Sequence, residues 1–492
     1  MENTGRIARG LTPTARCILF GASANASIDA ELQFATDVDR AHLVMLAECG
    51  IIERERIGAL LTEIEDLRAN NFAPLRERAA PRGLFLLYED YLIEKLGAQT
   101  GGVLQTARSR NDLNATCLRL RLRGPFLGLL REALRMQAIL LRRAERFAGV
   151  VMPAYTHYQA AVPITYGHYL AGVATAFGRD IAAFRVAGEG LDECPLGACA
   201  VGGTSLPIDE RRTASLLGFG EPVLNSIDAV ASRDFILRLL ASAAIMGITL
   251  SRLATDLLLW TTAEFGFIHM PDHLVGSSSI MPQKRNPYLL EHVQGRSAAA
   301  LGAFTAAATA MHAKPFTNSI AVGTESVGHV WRALKELTEA ITLARLNVAG
   351  ALPQPAAMLF RAVEGYTSAT ELANRLTVDG GMAFRTAHHA VGSVVTEAIA
   401  NNVPLEKAAV VAFGGEGQKI SLAGLDPASV ARESIHGGGP GYQSLQGCLG
   451  KLRVEWAVQA SWRGAQEQKW NAARTALDQA VEEACVGLVQ TL

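Results

Sequence analysis

What this sequence has little of excludes more than what it has in abundance. Net charge is close to absent: 46 Lys and Arg face 47 Asp and Glu, leaving −1. Nucleic-acid binders meet phosphates with an excess of cations, so that partner class is not expected. One arginine-rich stretch, Arg119 to Arg146, spaces its charges at helical intervals and reads as a solvated or subunit-facing helix side. The cysteines are few and unpaired in pattern. Cys17, Cys49, Cys117, Cys194, Cys199, Cys448 and Cys485 form no CxxC motif, and their number is odd. That suits the reduced thiols of a cytoplasmic protein better than a disulfide frame or a cysteine zinc site. The eleven histidines show no ligand-like spacing with carboxylates, and adjacent His388 and His389 would point different ways on a helix. No metal or other cofactor is called for. No apolar run reaches the roughly 18 to 20 residues that span a bilayer, so no membrane association is expected. Arg6, Arg9 and Arg16 near Cys17–Ala24 loosely imitate a signal peptide, but the apolar part is short and late.

Strand signals are also sparse, and helical periodicity fills the space. At 492 residues the chain is long enough for several domains and a large core. Residues 1–111 are mixed, with short helical patterns and Gly/Pro breaks. Long periodicities dominate 112–362. The clearest starts at Asp234, with Phe235, Leu239, Ala243, Met246, Leu250, Leu253, Leu257 and Trp260 recurring every three or four residues. Leu240, Ile245 and Ile248 make it apolar nearly all round, as expected inside a bundle or an oligomer core. Gly124-Pro125 is expected to break or kink an arginine-rich helix that opens near Asn111-Asp112. Another helix is expected to open with Asn286 as N-cap and Pro287 in its first position. Its Ala298–Ala303 and Ala306–Ala308 segments leave little bulk between neighbouring helices. From Val363 the pattern shortens and includes Gly437–Gly441. These features predict an all-α protein, with a central long-helix bundle over 112–362 and smaller helical domains over 1–111 and 363–492.

Three polar stretches interrupt the apolar helices: Thr106–Asp112, Met152–Gln159 and Gly276–Pro287. Each sits at the end of a predicted long helix, where polar loops can converge on one site. The third carries the most chemistry. Gly276 and the serines make a pliable loop, and Lys284 and Asn286 follow at a helix N-terminus, where free N–H groups and the dipole favour anions. Spacing alone favours an ordinary serine-rich turn before a capped helix over an anion site.

Ser277–Pro287 resembles the signature loop of the fumarase/aspartase superfamily, Gly-Ser-Ser-x-Met-Pro-x-Lys-x-Asn-Pro, with Ser277 in place of the first glycine. Arg108-Ser109-Arg110-Asn111-Asp112 and Met152-Pro153-Ala154-Tyr155-Thr156-His157 resemble the argininosuccinate lyase branch. Similarity continues through Pro195–Phe219 and Phe384–Gly392. The resemblance implies a homotetramer with a shared helix core and active sites built by three subunits. It implies beta-elimination of an amine from an N-substituted aspartate to give fumarate. Ser278 would be the base, since the family places it six residues before the lysine. Lys284 and Asn286 would hold the carboxylate that becomes an aci-carboxylate. Ser109, Arg110, Asn111 and Thr156 would bind the succinyl carboxylates. His157, paired with Glu291, would protonate or orient the departing amine. The small-molecule partners would be such an aspartate derivative and fumarate.

The amine half departs from that pattern. Arg82-Gly83-Leu84-Phe85 stands where the family carries an Asp-Glu-Asp-x-His run. In Ser319–Val327 only Glu325 matches the family segment that contains tyrosine, glutamine and lysine. The opening segment aligns poorly around Ser27–His42. A guanidinium pocket wants carboxylates at fixed geometry, so the leaving amine is expected to differ. Ethylenediamine-N,N′-disuccinate, a substrate of known relatives, and argininosuccinate both stay open. Fumarase, aspartase or adenylosuccinate lyase activity, or a crystallin-like scaffold without catalysis, are the other readings.

Overall fold

The computed structural model of this chain describes residues 11–20, 28–80, 82–222, 224–414 and 420–486. Arg6, Arg9, Ser27 and the second half of Cys17–Ala24 lie outside the described residues. Five long helices form the central bundle: α1 (Arg110–Arg146), α2 (Tyr166–Ala187), α3 (Asp234–Trp260), α4 (Tyr288–Met311) and α5 (His329–Gly350). Sheet among the described residues consists of two-stranded pieces. The longest is an antiparallel hairpin of β1 (Val151–Thr156) and β2 (Gln159–Thr165). The fold is all-α.

Burial follows the periodicity in α3: every one of the eight apolar positions from Phe235 to Trp260 is buried. Ile245 and Ile248, on the other side, remain half exposed in the single chain. The helix corrects one expectation. Its best 18-residue window reaches a mean hydropathy of 1.6, so by length and composition it could cross a membrane. Half of that window is buried against neighbouring helices, chiefly α2, α4 and α5, which makes it a core helix of the bundle. Gly247 has a packing reason. A Cβ there would come within 2.6 Å of the Ser297 carbonyl oxygen, so only glycine lets α3 and α4 approach this closely.

The break at Gly124-Pro125 does not occur. Pro125 removes one N–H from the ladder of α1, yet the helix continues for 37 residues. Leu122, Phe126, Leu129 and Leu130 are buried on both sides of the proline, and this packing outweighs the lost bond. The start of α4 also differs. Asn286 is not the N-cap but pairs with Gly276 in a short antiparallel ladder, and Pro287 takes the cap position before Tyr288.

Side-chain contacts fix the two ends of the bundle. Arg119 lies 4.4 Å over the Phe235 ring and Arg121 lies 4.7 Å over Trp331. These contacts group the starts of α1, α3 and α5. At the opposite end Trp260 packs on Tyr169 at 4.6 Å, and Gln294 donates to Thr255 at 2.8 Å. Arg143 there donates to the Ala351 carbonyl. The starts of α2 and α4 therefore lie beside the ends of α1, α3 and α5.

A second apolar core joins the helices Ile28–Glu48, Arg54–Ala69 and Leu84–Leu96 to Cys194–Phe219. A third gathers residues from Leu372 to Leu425. Residues 442–486 form one helix, α6 (Tyr442–Val486), of 45 residues. Leu445, Leu449 and Leu452 enter the bundle core, whereas Leu477 and Val481 enter the second core.

Candidate active site

Ser109 caps α1. Its hydroxyl accepts from the Asn111 N–H at 3.2 Å, and Asp112 accepts from the Ser109 N–H at 3.0 Å, closing a reciprocal capping box. The second Asp112 oxygen accepts from the Cys199 and Gly197 N–H groups at 2.9 and 3.2 Å. Asn111 donates to the Ala200 carbonyl at 3.0 Å. The Pro195–Gly202 segment is thereby tied to the turn that presents Arg110, which stays exposed. Burial raises the Asp112 carboxyl above its usual range, opposed by these backbone N–H groups and by Arg108.

Behind the turn lies a network that the sequence reading missed. Asp39 and Arg108, both fully buried, form an ion pair at 2.5 Å. Beside this pair, His42 Nε2 lies 2.7 Å from the Thr106 carbonyl. Burial, reinforced by the nearby Arg108 charge, pushes the His42 imidazole down to about 3. The available signal was Asp39 and His42 one turn apart on a helix whose neighbours Val38, Ala41, Leu43 and Val44 are all buried apolar residues. Removing one partner of a buried pair strands the other charge. Asp39→Ala is expected to cost about 3–5 kcal/mol, read as a lowered urea midpoint followed by circular dichroism.

Thr156 and His157 stand at the tip of the β1–β2 hairpin, where the sequence reading expected a loop. The two turn residues, His157 and Tyr158, have φ of 51° and 63°. A two-residue hairpin turn with both φ positive normally favours Asn-Gly, so a histidine and a tyrosine here hold a strained backbone. Both side chains are exposed.

The serine loop is closed at its base by the ladder of Gly276–Ser277 with Arg285–Asn286. Arg285 braces it through Asp272 at 2.5 Å and the Met270 carbonyl at 2.8 Å. The Ser278 hydroxyl accepts from the Met281 N–H at 3.0 Å and from the Ile280 N–H at 3.4 Å. Ser277, Ser279 and Lys284 are exposed, and Glu291 lies exposed in the first turn of α4.

These residues divide between the two ends of the bundle. Ser278, Lys284, Asn286 and Glu291 lie at the start of α4. Thr156 and His157 lie between the end of α1 and the start of α2, at that same end. Ser109, Arg110 and Asn111 lie at the start of α1, the opposite end. At 37 residues, α1 is roughly 55 Å long at 1.5 Å per residue. The three stretches therefore do not meet within one chain; the resemblance expects sites built by three subunits. Two segments that depart from the family pattern lie toward the Ser109–Asn111 end. Arg108 sits 5.8 Å over the Phe85 ring, and Ala321–Glu325 forms a short π-helix just before α5.

A family model described as lyase matches residues 78–302, and one described as argininosuccinate lyase C-terminal matches residues 366–421. Argininosuccinate lyase of Methanoculleus marisnigri is 36% identical over 447 residues, covering 89% of this chain and 90% of its own. The chain belongs to the argininosuccinate lyase family. Membership in the argininosuccinate lyase family makes it a carbon–nitrogen lyase. The argininosuccinate lyase of Methanothrix thermoacetophila is 35% identical over 463 residues, with 92% of each chain covered. Among solved structures, an EDDS lyase variant with bound fumarate has a TM-score of 0.85 at 28% identity, covering 100% of this chain and 99% of that one.

Proposed function

We propose that this chain is a cytoplasmic homotetrameric lyase that eliminates an amine from an N-substituted aspartate to give fumarate, with Ser278 as base. The observation that carries the reading is the Ser278 hydroxyl accepting two backbone N–H groups, at 3.0 and 3.4 Å. A serine is a poor base unless its alkoxide is stabilised, and oriented N–H dipoles supply that stabilisation. Ser278 takes the proton from the carbon beside the distal carboxylate. The charge that builds on this carboxylate is met by Lys284, Asn286 and the N-terminal end of α4. The C–N bond then breaks, and His157 with Glu291 delivers a proton to the leaving nitrogen. Ser109, Arg110, Asn111 and Thr156 hold the succinyl carboxylates, the first three supplied by a different copy of the chain.

The leaving amine carries a further carboxylate, as in ethylenediamine-N,N′-disuccinate. Three features support this: Phe85 lies against Arg108, Arg82 pairs with Asp90 at 2.8 Å, and apolar Leu84 and Phe85 replace acids that a guanidinium needs. Identity of 36% to an argininosuccinate lyase favours argininosuccinate as the second reading. Adding amines to fumarate and following the loss of its ultraviolet absorbance separates them. An amine bearing a carboxymethyl or succinyl group is expected to react about tenfold faster than arginine, or more, since each misplaced charge costs upwards of 1 kcal/mol. Faster addition of arginine would install the second reading.

A further inference from the structure

On the flank of the bundle, α1, the second half of α6 and the helix Ile28–Glu48 line a half-open cavity of about 440 Å³. None of its lining residues belongs to the three polar stretches. Five arginines line it: Arg121, Arg123, Arg131, Arg463 and Arg474. Its two acids are already engaged, Asp37 by Arg68 at 2.8 Å and Glu467 by Arg463 at 2.9 Å. The cavity is thus strongly cationic.

Arg123 is the most unusual of the five. It is only 9% exposed, and its guanidinium lies between two aromatic rings, 4.2 Å over Phe219 and 4.7 Å over Trp470. Stacking occupies the faces of the guanidinium but leaves its edges, and only Nη1 finds an acceptor, the Leu217 carbonyl at 2.7 Å. Among the described residues, Nε and Nη2 of Arg123 have no hydrogen-bond partner, nor has Nε1 of Trp470, which lines the same cavity. Buried N–H groups left unpaired are costly and call for a partner. A planar guanidinium fork matches carboxylate and phosphate oxygens.

We infer that this cavity is a binding site, separate from the catalytic one, for a small multiply charged anion whose carboxylate or phosphate oxygens take these arginine N–H groups. Burial pushes the Arg123 guanidinium down to about 10, and an anion in the cavity offsets that desolvation. Gly124 and Gly128 line the wall on α1 with open space where a Cβ would stand, which leaves room for the ligand.

The test is titration calorimetry on the full chain at low ionic strength, with citrate and pyrophosphate as separate probes and sodium chloride at matched ionic strength as baseline. At least one probe is expected to bind saturably at one site per chain, and the probe that binds identifies carboxylate or phosphate chemistry. Arg131 and Arg474 are exposed, so their replacement leaves the core untouched. The double variant Arg131→Gln/Arg474→Gln is expected to weaken binding about tenfold or more, with turnover in probe-free buffer unchanged. Arg123→Lys keeps the buried charge without the planar fork and is expected to weaken binding similarly. If Arg123→Lys does not fold, the double variant decides alone. Heat that does not saturate for either probe overturns the inference. So does saturable binding equal in wild type and double variant, which would place the probe at the catalytic site instead.

Discussion

Ser278→Ala is expected to lower turnover at least about 10³-fold, a loss of roughly 4 kcal/mol of transition-state stabilisation. Circular dichroism and elution volume are expected to stay unchanged. The structure explains why the effect should be specific. The Ser278 hydroxyl is a local acceptor for Met281 and Ile280 N–H groups in a partly exposed loop, so its removal releases two weak loop contacts and leaves no cavity. The fold is held elsewhere, by the ladder at Gly276–Asn286 and by Arg285 on Asp272. Ser279 is exposed, so Ser279→Ala provides the control and is expected to keep most of its activity. Initial rates of fumarate release at saturating substrate distinguish the two. Full activity in Ser278→Ala would remove this hydroxyl as base and reopen the assignment among the neighbouring serines.

How much of this was readable in the chain depends on where each signal resides. The interior of α3 was legible because its apolar positions repeat at helical spacing and are all buried. The length of α1 was not, because Pro125 carries a strong local preference against helix while the buried leucines that override it become apparent only in the packed bundle. The 45-residue α6 was hidden for a different reason. It meets two cores in succession, so its buried residues change face along its length and no single periodic stripe forms. The chemistry-bearing stretches were legible as polar islands, but their distribution between opposite ends was not. That follows from the antiparallel order of the helices, set by contacts such as Arg121 on Trp331 and Trp260 on Tyr169. The Asp39–Arg108 pair escaped notice because its two halves stand 69 positions apart, and only the fold brings them to 2.5 Å.

Mixing two inactive variants is expected to restore activity that neither has alone. Arg110 and Ser278 lie at opposite ends of the bundle, separated by about the length of α1, roughly 55 Å. No small substrate bridges that distance, so a site that uses both must take them from different copies. In chains of Arg110→Ala alone, every site has a defective turn; in Ser278→Ala alone, every site lacks its base. Random co-assembly gives each site an independent choice at both positions, so about one quarter of sites receive an intact turn and an intact serine loop. Co-expressing the two variants and assaying fumarate formation is therefore expected to recover roughly a quarter of native activity. The half-exposed Ile245 and Ile248 on α3 supply an apolar surface for such an assembly. If both residues served one site within a single chain, every site in the mixture would carry one defect and no activity would return. Zero recovery from properly mixed oligomers would thus refute the shared site, even with Ser278 retained as the base.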